Sequence, residues 1–358
     1  MEWYRAVQFV AAVPMPVEWA REFGTTVNGM WDDPERWDRS AVEQAHREGR
    51  RVLVDQRLMA LEARFYEREE NHYLLEEACR DIFGDKAEVD WYFWDPKPVY
   101  SMCFYSRTFR DYLLARYRRA VDMGVDILSL DEVQTHIALM TRNAKGSGFC
   151  ARCLELFCKH LEGDEAARTR AGVSSVADLR EGDHASLLQR LREDDSLYAQ
   201  YVAFHQQAAF KTVQEFVSEV RALGDMAVTA NVAGLGSGTR GSKLWGAQWG
   251  ELVDFVLAEE YYMARPRGFQ GRSDHLLLPR GKFLGSYRLA SSFRSRAPAW
   301  LTPQIFIPNQ LAGKPRLNYY LLMFLESYAN NGRWGYYWWP GVDKETRRAA
   351  TACAFRRK

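Results

Sequence analysis

Gly124-Val125-Asp126-Ile127-Leu128-Ser129-Leu130-Asp131-Glu132 joins a glycine stop, a nearly unbroken apolar run and a closing pair of carboxylates. Such a run reads as a strand buried on both faces, as in a parallel sheet, and its closing polar residues mark where it leaves the core. The segment before it, Phe104 to Met123, returns apolar residues at helical spacing, so the local order is helix, glycine, strand. That order recurs along the chain. Comparable runs are Val7 to Val13, Thr26 to Met30, Arg51 to Asp55, Met226 to Asn231, Val253 to Glu259, Lys282 to Tyr287 and Trp334 to Trp338. Amphipathic segments lie between them: Pro34 to Glu48, opened by Asp32-Asp33, and Leu197 to Leu223. Gly49 and Gly224 stop helices just before strands, as Gly124 does. Eight such units predict a single α/β domain over 1–358, a (β/α)8 barrel with extended loops over about 132–195 and 232–250. The rival is an open doubly wound sheet, but no G-x-G-x-x-G follows the first strand, and Gly234-Leu235-Gly236-Ser237-Gly238 reads as a mobile loop.

Composition narrows the partners. The 358 residues carry 48 Lys+Arg against 47 Asp+Glu, a formal charge of +1, which removes the cationic field that nucleic-acid binding needs. At 47% hydrophobic and 27% charged the chain can bury a sizeable core. Its longest apolar stretch, Val7 to Val17, is broken by Gln8, Pro14 and Pro16, so no membrane span is expected. Met1-Glu2-Trp3-Tyr4-Arg5 lacks the cationic segment and cleavage site of an export signal, and the expected location is the cytoplasm. Aromatic residues make up 14% with 12 Trp, many beside Gly, Pro or charged residues, a pattern common in carbohydrate sites. Composition does not fix the oligomeric state; a homo-oligomer is compatible with it.

In a barrel of this type the reacting groups sit at the C-terminal strand ends. Two carboxylate doublets stand there: Asp131-Glu132 after the fourth run, and Glu259-Glu260 after the sixth. Paired carboxylates suit cleavage of a glycosidic bond, one ionised as nucleophile or base and the other kept protonated as acid. The competing reading is ion pairing with the chain's many arginines. Adjacent strand residues face opposite ways, so either member of each doublet is a candidate. Asn28, Asp55, Asn231 and Tyr287 could hydrogen-bond sugar hydroxyls, and Arg57 and Arg288 a carboxylate. Trp338 could offer a flat apolar platform to a pyranose. His72, His184, His205 and His275 show no triad or metal spacing and are expected at the surface. No G-x-S-x-G, P-loop, H-E-x-x-H or kinase set appears.

Ser101 to Arg110, Asp131-Glu132, His136 and Phe149 to Phe157, read in that order and spacing, resemble the middle of the family-42 β-galactosidases and related barrel glycosidases. In that family the fourth strand ends in Asn-Glu, with the Glu as acid/base, and a zinc cluster takes the form Cys, then Cys-x-Cys-x-x-Cys. Cys103, Cys150 and Cys153 match three of its ligand positions, and Gly148 stands at the fourth. The resemblance therefore implies a structural zinc, with Cys158 or His136 as substitutes for the missing thiolate. The chain also departs at Asp131, where the family has Asn, and the expected seventh strand, Lys282 to Tyr287, lacks the family's nucleophile. Carboxylates on strands four and six instead resemble the α-galactosidase-like and amylase-like barrels. That layout implies Asp131 as nucleophile and Glu259 as acid/base, with Glu132 and Glu260 as alternates and retention of configuration. The expected activity is thus glycoside hydrolysis with no cofactor in the chemistry. A catalytically silent carbohydrate-binding barrel, or a lyase or isomerase acting on a sugar acid, are the alternatives.

Overall fold

The computed structural model describes residues 9–11, 21, 26–30, 33–89, 92, 96–142, 144–180, 183–233, 252–261, 300–304 and 333–336. Its strands in chain order are β1 (Phe9–Ala11), β2 (Val27–Met30), β3 (Arg51–Arg57), β4 (Ala60–Leu61), β5 (Tyr100–Ser101), β6 (Ile127–Asp131), β7 (Ala227–Ala233), β8 (Phe255–Tyr261), β9 (Trp300–Gln304) and β10 (Arg333–Tyr336). Eight of them close a barrel in the order β1-β10-β9-β8-β7-β6-β3-β2, while β4 and β5 form a separate antiparallel pair. The (β/α)8 expectation holds. One strand is placed differently: the seventh barrel strand is Trp300–Gln304, whereas Lys282 to Tyr287 lies outside the described residues. Pro303 inside the run is the reason, because a proline lacks the N–H of a sheet ladder and argues against a strand.

The chain divides into two compact units. One comprises Met1–Gln56, Tyr117–Asp131 and Leu223–Lys358, and holds the barrel; the other comprises Arg57–Arg116 and Glu132–Ala222. In the barrel unit Val27, Leu53, Ile127, Ala227, Phe255 and Leu257 form one buried cluster drawn from five strands. On β6, Ile127, Leu128 and Leu130 are all fully buried, the two-faced burial expected of a parallel barrel strand. Gly49 and Gly124 stop their helices at φ +72° and +86°, backbone that a residue with a β-carbon rarely adopts.

Two aspartates fasten the strand starts by the same device. The Val52 N–H donates to Asp126 at 2.8 Å, and the Val228 N–H donates to Asp254 at 2.9 Å. Asp126 also takes Arg51 at 2.6 Å and His46 at 2.7 Å. Both carboxylates are committed at the end of the barrel opposite to where chemistry is expected.

The second unit is mostly helical. Its longest helix, Asp195–Arg221, is capped by Asp194, which accepts from the N–H groups of Ser196 and Leu197, both at 2.9 Å. Leu197, Tyr201, His205, Ala209, Val213, Val217 and Val220 are buried at helical spacing along one face. His205 is therefore in the core, correcting the surface expectation. Its Nδ1 meets the Tyr105 hydroxyl at 2.9 Å, and burial holds its imidazole well below the ordinary value and so neutral. His72 and His184 are exposed as expected, His184 meeting the carbonyl of Phe149 at 2.9 Å; His275 lies outside the described residues.

Candidate active site and thiol cluster

Parallel pairing sets the ends of β6, β7 and β8 in register: Leu130 lies opposite Ala230, Asn231 opposite Leu257, and Ala233 opposite Glu259. At the C-terminal end of β6 the side-chain amide of Asn231 donates to Oδ1 of Asp131 at 2.9 Å. Asn231 is only 2% exposed, so its amide is a fixed donor. A hydrogen bond from a buried amide favours the ionised carboxylate, the form a nucleophile needs. Two bonds secure the strands beneath: Tyr117 donates to the Ser129 carbonyl and Thr229 to the Phe255 carbonyl, each at 2.8 Å.

On β8, Glu259 pairs with Ala233 and Thr302, and Glu260 with Pro303. Glu259 and Glu260 follow Leu257, a member of the barrel cluster, on the same strand. The relocated seventh strand, Trp300-Leu301-Thr302-Pro303-Gln304, again bears no carboxylate. Asn28 and Asp55 are half-buried on β2 and β3, with Oδ1 of Asn28 buried and without a hydrogen-bond partner among the described residues. Tyr287, Arg288 and Trp338 lie outside the described residues, as does the expected loop over 232–250 beyond Ala233.

Two candidates belong to the second unit. Arg57 forms an ion pair with Glu62, a carboxylate it shares with Arg64 at 2.9 Å, and lies over the Tyr92 ring at 4.9 Å from its centroid. Glu132, directly after Asp131 in the chain, accepts a 2.5 Å hydrogen bond from the Tyr92 hydroxyl. Tyr92 is a participant for which the sequence carries no motif.

The same unit gathers Cys79, Cys103, Cys150, Cys153 and His136. The ligand atoms of Cys79, Cys103, His136 and Cys153 all lie within 4.8 Å of one another, and all four residues are buried. Cys153 Sγ is 3.9 Å from that of Cys103 and 3.4 Å from that of Cys150. Four thiolates around one zinc at about 2.3 Å have sulfurs about 3.8 Å apart, so these spacings suit a tetrahedral ion. Burial opposes ionisation of Cys79, but hydrogen bonds from Cys103, Cys150 and Cys153 outweigh it and hold its thiol well below the ordinary value. Cys150 is pushed up, foremost by its hydrogen bond to Cys103, and Cys153 foremost by burial.

The expected trio of Cys103, Cys150 and Cys153 is thus brought together, and Cys79 joins it. Position 148 contributes differently: the Gly148 N–H donates to Cys79 Sγ at 3.1 Å. His136 is set apart by its tautomer. Its Nδ1 accepts from the Phe104 N–H at 3.2 Å, and burial keeps the ring neutral, so the proton sits on Nε2, 3.5 Å from Cys153 Sγ. A protonated Nε2 cannot ligate a metal but can donate to a bound thiolate, an outer-shell part. Cys158 is buried elsewhere, beside Arg180, Glu155 and Glu162.

No family model matches the chain, and no curated protein matches it. Among solved structures it is similar to the glycoside hydrolase domain of PgaB (BpsB) from Bordetella bronchiseptica, with TM-score 0.54 and 11% identity over 92% of this chain and 94% of that one. It is also similar to the glycoside hydrolase domain of PelA from Pseudomonas aeruginosa, with TM-score 0.47 and 11% identity over 92% and 94% of the two chains. Ega3 from Aspergillus fumigatus follows at TM-score 0.45 and 10% identity over 92% and 89%. At these identities the likeness to the PgaB domain speaks for a shared barrel fold.

Proposed function

We propose that this protein is a glycoside hydrolase in which Asp131 is the nucleophile and Glu259 the acid/base, with retention of configuration. The observation that carries the reading is the 2.9 Å hydrogen bond from buried Asn231 to Asp131 at the C-terminal end of a barrel strand. A buried amide donor favours the ionised form of that carboxylate and fixes its direction, and Glu259 is taken as the second group from the resembled layout of carboxylates on strands four and six. The similar barrel in PgaB, a glycoside hydrolase domain by description, supports the reaction class. Retention proceeds through a covalent glycosyl-enzyme and needs carboxyl groups about 5 to 5.5 Å apart, whereas inversion needs about 6.5 to 9.5 Å. Asn28, Asp55 and Asn231 are the proposed contacts to sugar hydroxyls. The test is a screen of aryl glycosides and oligosaccharides with products identified by mass. Hydrolysis adds one water, a lyase none, and binding without turnover would favour a silent carbohydrate-binding barrel.

We further propose a structural zinc held by Cys79, Cys103, Cys150 and Cys153. When bound, it would supply positive charge that keeps all four thiols ionised, while the Gly148 N–H and His136 Nε2–H would donate to Cys79 and Cys153. A closed four-thiolate site leaves no position for substrate.

A further inference from the structure

Cys150 and Cys153 share the first turn of one helix, Ala151–Gly163, Cys150 as its cap and Cys153 within it, and their sulfurs lie 3.4 Å apart. A disulfide brings two sulfurs to about 2.05 Å, an approach that side-chain rotation on a shared turn can supply. Cys153 is nearer to Cys150 than to Cys103, from which it lies 3.9 Å. The remaining thiols are placed differently. Ala78 bridges Met102, with the Cys79 N–H on the Ser101 carbonyl at 2.7 Å and the Cys103 N–H on the Glu77 carbonyl at 3.0 Å. Cys79 and Cys103 are therefore fixed to two paired segments by their own backbone bonds. Exposure separates the thiols as well: Cys150 is 8% exposed, whereas Cys79, Cys103 and Cys153 are at 0%. A small oxidant meets Cys150 first, with Cys153 close behind it.

We infer that Cys150 and Cys153 are a site of reversible oxidation by hydrogen peroxide, and that their disulfide removes two of the four proposed zinc ligands. This rests on the zinc reading and deepens it. Each sulfur gives up one electron and an S–S bond forms, while the peroxide O–O bond breaks and its oxygens leave as water. The protons come from the thiols or, for thiolates, from solvent. With Cys79 and Cys103 alone left as ligands the site no longer retains zinc. The new bond spans only the Cys150–Cys153 turn and so restrains little of the unfolded chain, whereas zinc joins that helix to the segments of Cys79 and Cys103. Oxidation thus exchanges a cross-link between segments for one within a single turn, and stability falls.

The experiment takes reduced, full-length wild type and counts its zinc by elemental analysis. Hydrogen peroxide is then added in the presence of a zinc-sensitive dye, followed by alkylation and tryptic mass mapping. Trypsin cuts after Arg152, so reduced Cys150 and Cys153 fall on separate peptides and their disulfide joins them. The expected result is a linked Cys150–Cys153 peptide pair, loss of the bound zinc in step with it and a lower melting temperature, all reversed by dithiothreitol and zinc. Cys158→Ser should respond as wild type does. A bond between any other pair, Cys158 included, overturns the inference, as does Cys150 driven to sulfinic acid while Cys153 stays reduced. So does zinc retained after the bond has formed, or both thiols unchanged by peroxide that consumes free dithiothreitol. If wild type carries no zinc, the zinc reading fails and the dithiol site is judged separately by the linked peptides, whose appearance supports it and whose absence overturns it.

Discussion

The backbone N–H of Gly148 donates to Cys79 Sγ at 3.1 Å, so a residue standing at a ligand position of the resembled zinc cluster here serves a thiol gathered beside Cys103 and Cys153. Cys79 reaches that point by backbone pairing. Its N–H donates to the Ser101 carbonyl at 2.7 Å, and Ala78 bridges Met102, which brings position 79 alongside Cys103.

Zinc content separates the ligands from their neighbours. Cys79→Ser should abolish stoichiometric zinc and lower the melting temperature, whereas Cys158→Ser should retain the metal. His136→Gln, which alters a group outside the proposed ligand set, should keep zinc with affinity weakened about 10- to 100-fold. Elemental analysis of the purified variants checks all three, and a zinc-free wild type rejects the site.

Gly148 holds a backbone conformation that disfavours any side chain. It has φ +97°, and a Cβ there would lie 2.7 Å from Cε of Met140. Gly148→Ala should cost about 1–3 kcal/mol from backbone strain alone. Chemical denaturation checks it; a variant as stable as wild type would contradict the geometry.

Chelation should lower the melting temperature of the zinc-loaded protein while initial turnover is unchanged, because a closed thiolate site meets no substrate. Activity lost before unfolding would instead make the metal part of the chemistry.

Acid should remove a specific contribution from the helix caps. Asp183 accepts from the Ser186 N–H at 2.8 Å, and Asp164 from the Ala167 N–H at 2.8 Å. Those backbone bonds hold both carboxyls below the ordinary value of 3.8. Their stabilisation is therefore present above that value and lost as the pH falls through the lower folded one. Asp183→Ala should melt earlier than wild type near neutral pH, with the gap closing below about pH 3. A gap independent of pH would show that the charge plays no part.

The barrel could be read from sequence where each unit carries its own signals. The stretch around β6 has a glycine stop at φ +86°, a buried apolar run and a carboxylate at its end, all within nine residues. β9 could not be read so, because Pro303 masks it as a loop and only neighbours on both sides make it a strand. Site residues divide in the same way. Asp131 and Asn231 follow from strand position, but Cys79 and Tyr92 are placed by long-range pairing that leaves no local pattern. His205 went astray because its burial depends on the helix face shared with Tyr201 and Ala209, not on its own chemistry.

The proposed acid should show itself by leaving group. Glu259→Gln should lose little on substrates with an acidic phenol leaving group and much on those with an alkyl one. An equal loss across both would argue against that role.

Trapping the covalent intermediate addresses the role of Asp131 most directly. Wild-type protein incubated with a 2-deoxy-2-fluoro glycoside of the sugar it hydrolyses should gain one glycosyl mass, and peptide sequencing should place it on Asp131. Asp131→Asn should take up no label, stay folded and turn over roughly 10⁴-fold more slowly. A label on any other residue, or near-wild-type turnover by Asp131→Asn, would contradict the account.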